Sequence, residues 1–145
     1  MKPLWMLFPL LFANGAFAAC EFDIEVGDSL QFSVSEIEVE SSCESVTINL
    51  NHTGQLPAAA MGHNWVLTTD ADFQDVATAG MGAGLEGNYV PSGDDRVIAA
   101  TKIIGGGEST SISFPIEALD AAGSYTFFCS FPGHWSLMKG SFRIV

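Results

Sequence analysis

Positive charge is what this sequence has least of: five Lys and Arg stand against 17 Asp and Glu in 145 residues, a net charge of −12. A surface of that sign repels phosphate, which removes nucleic acid and anionic membranes from the expected partners. Long apolar runs are also missing. The stretch from Leu4 to Phe12 is too short for a membrane-spanning helix, and nothing later approaches the ~20 residues that a span needs. There is no internal repeat and no low-complexity linker, so the length supports one domain with a proper core and not two. Gly105-Gly106-Gly107 marks a tight turn; no helix or lysine follows it in the place a phosphate cradle requires.

The first 18 residues stand apart. Lys2, the apolar run, and Ala16-Phe17-Ala18 together have the pattern of a cleavable secretory leader, which leaves 19–145 as the exported domain. Losing Lys2 makes that domain one unit more negative. Phe17-Ala18-Ala19-Cys20 also loosely resembles a lipoprotein cleavage site, so lipid anchoring at Cys20 stays open as an alternative. Only three cysteines are present. In an exported chain that count suggests one bridge and one thiol kept for another purpose. Cys20 and Cys43 are the natural pair, a closure worth on the order of 3 kcal/mol in the chain-entropy model. Cys129 then remains free, and a free thiol in an oxidising compartment is a liability unless something such as a metal occupies it.

Most of 19–145 alternates with period two. Leu30, Phe32 and Val34 face one way; Val46, Ile48 and Leu50 repeat the pattern, as do Ile112, Phe114 and Ile116, with Pro115 marking a strand end. Trp65-Val66-Leu67 has the composition of a strand buried on both sides. Tyr125, Phe127 and Cys129 share one face, and Phe142 with Ile144 closes the chain. Phe73, Val76 and Ala77, then Gly80 or Met81, recur at helical spacing after an acidic start, which predicts one short helix within 70–85. The fold class that follows is all-β: a Greek-key β-sandwich with one short inserted helix.

The chemistry concentrates in Cys129-Ser-Phe-Pro-Gly-His134-Trp135-Ser-Leu-Met138. A thiol, an imidazole and a thioether within ten residues form a donor set suited to copper, because soft sulfur favours Cu(I) while imidazole serves both oxidation states. Taken singly, Cys129 could be an inert buried thiol and Met138 core filler. Their joint spacing argues for a metal. A distant further donor is needed, and of His52 and His63 the latter is better placed, in Met61-Gly62-His63-Asn64-Trp65, where the glycine lets backbone approach an ion.

At these residues the sequence resembles the azurins, blue type 1 copper proteins of bacterial periplasms within the cupredoxin family. The likeness covers Met61–Leu67, Arg96–Ala99, Phe127–His134 and Leu137–Gly140, in that order along the chain. It implies a plastocyanin-like, cupredoxin-type copper-binding domain in which His63, Cys129 and His134 surround one copper per chain. Met138 would be a weak axial donor and the Gly62 carbonyl a weaker one. By the same resemblance Asn64 ties the ligand loops together, and the Phe131 N–H donates to the Cys129 sulfur, both favouring the reduced state. His134 would be the electron port. Leu30, Leu56, Met61, Met81, Phe131 and Leu137 would form the apolar docking patch around it, although Leu56 and Met81 also suit ordinary core.

Two departures from the azurin pattern stand out. Trp135 occupies a place where azurins commonly carry a small polar residue, which predicts a larger, more aromatic patch. His52 matches a buried histidine that is linked to protonation in some members, but Thr53-Gly54 replaces the usual Pro-Gly, and a satisfied core histidine is the simpler reading. The implied function is one-electron transport in the periplasm of a Gram-negative bacterium. The carrier would be monomeric and soluble, docking briefly with a c-type cytochrome, a reductase or an oxidase. An enzyme would need further histidines and an open metal position, and only His52 is left over.

Overall fold

The computed structural model describes residues 19–145, so the expected leader at 1–18 lies outside the described residues. Eight strands follow in chain order: β1 (Glu21–Val26), β2 (Glu36–Val39), β3 (Ser45–His52), β4 (Val66–Thr69), β5 (Ala99–Ala100), β6 (Ser109–Pro115), β7 (Tyr125–Phe128) and β8 (Lys139–Ile144). Helix α1 (Ala58–Met61) is a single turn, and α2 (Phe73–Gly80) continues into a 3-10 turn at Met81–Ala83. The strands form two sheets, ordered β1-β3-β6 and β2-β8-β7-β4-β5.

Alternation decides what each sheet buries. In β3 the inward residues Val46, Ile48 and Leu50 are fully buried, while their neighbours face outward. β1 runs parallel to β3 and places Ile24 beside Leu50; β6 runs antiparallel and places Phe114 beside Val46. The second sheet answers with Leu67, Phe127 and Phe142, and the two inner faces meet in one core. Trp65 lies at its centre, with its ring centroid 5.8 Å from Phe127, 6.0 Å from Phe114 and 6.3 Å from Phe142. Each fully buried side chain of this size contributes about 1.5–3 kcal/mol. The indole N–H of Trp65 has no partner there, a cost borne for shape.

The expected strands at β3, β4, β6, β7 and β8 are present, with Pro115 as the last residue of β6. The expected helix is α2, burying Phe73, Val76, Ala77 and Gly80 against Phe128 and Val66. The structure differs at Leu30–Val34. Phe32 does enter the core, but the segment forms no regular ladder: the Ser33 N–H donates to the Glu25 carbonyl while the Ser33 hydroxyl accepts from the Glu25 N–H. The side-chain hydroxyl replaces the backbone partner, so the alternation survives where the strand does not. β1, β2, β5 and α1 are additions to the expected elements.

Cys20 and Cys43 form a disulfide that ties the start of β1 to the approach of β3. That bridge uses the sulfur that lipid anchoring at Cys20 would require. No helix among the described residues is long and apolar enough to cross a membrane.

Two junctions prepare the site. β7 ends at Phe128 and β8 begins at Lys139, adjacent and antiparallel, so the segment between them is a closed loop, locked by the Cys129 N–H donating to the Met138 carbonyl at 3.0 Å. His63 follows α1 and pairs with Ile104 through two backbone hydrogen bonds of 3.0 and 2.9 Å.

Candidate metal centre

The loop after β7 tightens in helical fashion. The His134 N–H donates to Phe131 O at 2.9 Å, and the Met138 N–H donates to His134 O at 2.8 Å. Gly133 makes the reversal possible with φ of 84°, a conformation an L side chain resists. This turn brings His134 back over Cys129, so that Sγ lies 3.7 Å from His134 Nδ1. The sandwich carries His63 to the same point, its Nδ1 3.8 Å from Sγ. All three donor atoms lie within 4.8 Å of one another, and all three residues are buried.

Hydrogen bonding sets which nitrogen of His63 is free. Nε2 lies 2.7 Å from the Gly27 carbonyl, which can only accept, so Nε2 holds the proton and Nδ1 presents its lone pair to the cluster. Desolvation holds the His63 pKa below the ordinary histidine value, partly offset by that carbonyl. His134 is held down to about 4, first by desolvation and then by repulsion from His63. Both imidazoles are therefore neutral donors at neutral pH.

Burial pushes the Cys129 thiol up to about 12, although the backbone N–H groups of Asn64 and Phe131 point at the sulfur and pull the other way. A proton holds the sulfur neutral until a cation replaces it, and those N–H groups are already placed to stabilise a thiolate. Met138 is fully buried and paired to Cys129 through its backbone. A side chain at Gly62 would collide with the Ala58 carbonyl and with Ile103, so only glycine fits between α1 and the donor strand. One thiol and two neutral imidazoles form a donor set that fits copper and suits oxygen-preferring ions poorly.

Asn64 joins the two donor segments. Its Oδ1 accepts the Ser130 N–H at 2.8 Å, and its Nδ2 donates to Ser130 Oγ at 2.8 Å and to the Asn88 carbonyl at 3.0 Å. His52 is satisfied at both ring nitrogens: Nε2 donates to the Met61 carbonyl at 2.9 Å and Nδ1 accepts the Gly54 N–H at 3.1 Å. It stacks on His63 at 5.1 Å and contributes no donor to the cluster.

The structure leaves Leu56, Met81 and Leu137 exposed, at 42, 46 and 69%, so Leu56 and Met81 are surface residues and not core. Leu30 and Leu137 line one depression, and Phe131 stacks on His134 at 4.4 Å. The Trp135 ring packs edge-on against Phe73 of α2 at 5.8 Å and is half-buried there. Sequence reasoning missed Gly27, Asn88 and Ser130. All three act through backbone or short polar groups reached across long sequence separations, and no local pattern announces such contacts.

A family model described as copper-binding proteins of the plastocyanin/azurin family matches residues 18–145. The chain is 54% identical over 127 residues to Azurin-2 of Alcaligenes xylosoxydans xylosoxydans, spanning 88% of this chain and 98% of that one. It is also 54% identical over 127 residues to the azurin of Pseudomonas denitrificans, spanning 88% and 99%. Among solved structures, an azurin (Az-iso2) of the obligate methylotroph Methylomonas sp. strain J superposes with a TM-score of 0.85 at 48% identity, spanning 88% of this chain and 99% of that one.

Proposed function

The chain belongs to the plastocyanin/azurin family of copper-binding proteins and is a blue copper electron carrier; on that premise we propose that it works as a soluble monomer in the periplasm. There it passes one electron at a time from a donor such as a c-type cytochrome to a reductase or oxidase. It is exported by cleavage after residue 18 and catalyses no reaction of its own. The observation that carries this reading is the buried cluster of His63 Nδ1, Cys129 Sγ and His134 Nδ1 within 4.8 Å. Those atoms would hold the ion, with Met138 and the Gly62 carbonyl as weaker donors.

Copper bound there supplies a one-electron couple that a thiolate and two imidazoles can serve in either oxidation state. The chain's own part is to keep the donors still. Cys129 hangs from the end of β7, and Met138 sits across from it at the start of β8. His63 is locked to Ile104 on one side and to Gly27 on the other. Donors fixed this way move little when the charge of the site changes, which lowers the reorganisation that opposes electron transfer. His134 is the most open donor, 6% exposed where Cys129 and His63 are sealed. It would pass the electron at the surface, where Leu56, Met81 and Leu137 offer an apolar face for brief docking. Burial of every donor leaves no position for a substrate, which supports the non-enzymatic reading.

Titration of the reduced metal-free protein with Cu(II), followed by visible absorption and electron paramagnetic resonance, tests the ligand assignment. An intense blue band saturating at one copper per chain with narrow hyperfine splitting is expected. Weak colour, or thiol oxidation without a stable complex, would overturn it.

A further inference from the structure

The loop from Gly84 to Pro91 contributes no donor, yet it touches the neighbours of all three. Two consecutive residues other than glycine in that loop are left-handed, Asn88 at φ 56° and Tyr89 at φ 51°. Asparagine tolerates that region better than most residues; tyrosine does not, so the pair persists only because its contacts hold it. The Tyr89 N–H donates to Gly84 O at 2.9 Å, and the Asn88 N–H donates to Leu85 O at 2.9 Å.

The contacts of Asn88 converge on the donor segments. Its carbonyl accepts from Asn64 Nδ2 at 3.0 Å and from Ser130 Oγ at 3.4 Å. Asn64 follows His63, and Ser130 follows Cys129. Its side-chain Oδ1 accepts the Ile103 N–H at 2.8 Å, next to Ile104, the backbone partner of His63. Tyr89 then packs edge-on against Phe131 at 5.2 Å, and Phe131 stacks on His134. Asn64 is fully buried. Its amide carries two N–H groups, one answered by Ser130 and the other only by the Asn88 carbonyl. If that carbonyl moves, a buried donor is orphaned and the amide loses its reason to keep Oδ1 on the Ser130 N–H.

We propose that Asn88 is a positioning residue for the copper ligands: its left-handed backbone aims the carbonyl that fixes Asn64, and its side chain anchors that backbone to the strand beside His63. The inference rests on the ligand assignment above. A failed copper titration of the parent protein would refute that assignment, whereas the exchange measurements below use metal-free protein and stand apart from it.

Three variants separate the parts. Asn88→Asp keeps both the left-handed tolerance and an acceptor for Ile103, Asn88→Gly keeps only the backbone freedom, and Asn88→Ala keeps neither. Amide exchange of the metal-free proteins is expected to show the Ser130 N–H at least tenfold faster in Asn88→Ala and the Ile103 N–H at least tenfold faster in both Ala and Gly. The Ile48 N–H in β3 should remain at the parental rate. With copper bound, the blue band and the reduction potential should shift in the order Ala, then Gly, with Asp near the parent. Should Asn88→Ala fail to fold, Asn88→Gly with a faster Ile103 amide and a shifted potential, restored by Asp, carries the proposal. Parental exchange and potential in both Gly and Ala would overturn it. So would an Asp variant as impaired as Ala, or a rise spread evenly over Ile48 and Ser130, which would mark a merely structural residue.

Discussion

In β3 the inward residues Val46, Ile48 and Leu50 are aliphatic, with buried His52 ending the row, and every outward residue is polar; the outward row is stitched to its neighbours: Thr47 to Ser113 at 2.7 Å, Asn49 to Ser111 at 2.8 Å and to Asp23 at 2.9 Å. Past the end of β7 the rule inverts. Cys129, Ser130, His63 and Asn64 are polar groups buried inside, held by partners from Gly27, Asn88 and Phe131 and not by a ladder. The sheet is redundant, since any one cross-strand pair contributes about 0.2–1 kcal/mol. The donor end has little such redundancy, because its buried polar atoms depend on a few specific partners, and losing one leaves a desolvated group. Stability should therefore reside in the sandwich and its disulfide, and function in the donor end, with little overlap.

Replacing Cys129 by Ser should break function with the largest effect of any single change. The blue band should vanish altogether, because Cys129 is the one free thiol among the described residues and the Met138 thioether cannot stand in for a thiolate. Unfolding should change by about 1–3 kcal/mol, the cost of a buried hydroxyl whose shorter bond leaves it out of hydrogen-bond reach of the His63 and His134 nitrogens, 3.8 and 3.7 Å from the sulfur it replaces. Spectra of the copper-treated variant beside a urea unfolding curve check both halves; a variant that stays blue would sink the ligand assignment. The reciprocal change is Cys20→Ser with Cys43→Ser. Removing the bridge should cost about 2–5 kcal/mol of stability while leaving the blue band in place. A large spectral change would show that the two regions are coupled after all.

The same contrast explains what the sequence disclosed. β3, β6 and β7 could be read because burial on one face leaves a period-two trace in the residue order. β1 carries the same trace in Phe22, Ile24 and Val26, but its outward residues are Glu21, Asp23 and Glu25, which disfavour strands. Only the structure shows Asn49 Nδ2 answering Glu21 and Asp23, which makes the acidic row acceptable. At the donor end the ligand types and spacing were legible, since few side chains can hold copper. Asn88 was not. Its partners Asn64 and Ser130 lie 24 and 42 residues away, and its contribution comes from a carbonyl every residue possesses. Trp135 was visible as a departure, but its contact with Phe73 depends on where α2 packs.

Met138→Leu sharpens the comparison from within the donor end. The exchange conserves volume in a fully buried position and should cost less than about 1.5 kcal/mol. The protein should remain blue, with a raised reduction potential, because losing a weak sulfur donor disfavours the oxidised ion more. Cyclic voltammetry decides; an unchanged or lowered potential would argue against Met138 as a ligand.

Acid should separate the two regions by pH window. In the metal-free fold His134 titrates at about 4, below its ordinary 6.5, so the unfolded chain takes up the proton first. Acidification from 6.5 towards 4 therefore favours unfolding, and the loss levels off below the folded value. Asp94 lies on the surface, where the Arg96 side chain holds it at about 2 instead of 3.8. Its contribution is intact above 3.8 and disappears as pH falls through about 2. Unfolding midpoints measured across pH 2–7 should thus show an upper segment that flattens in His134→Ala and a weaker lower segment that flattens in Arg96→Ala. An upper segment surviving His134→Ala unchanged would mean that the proton uptake belongs elsewhere, with His63 the next group to replace, since burial depresses it in the same direction.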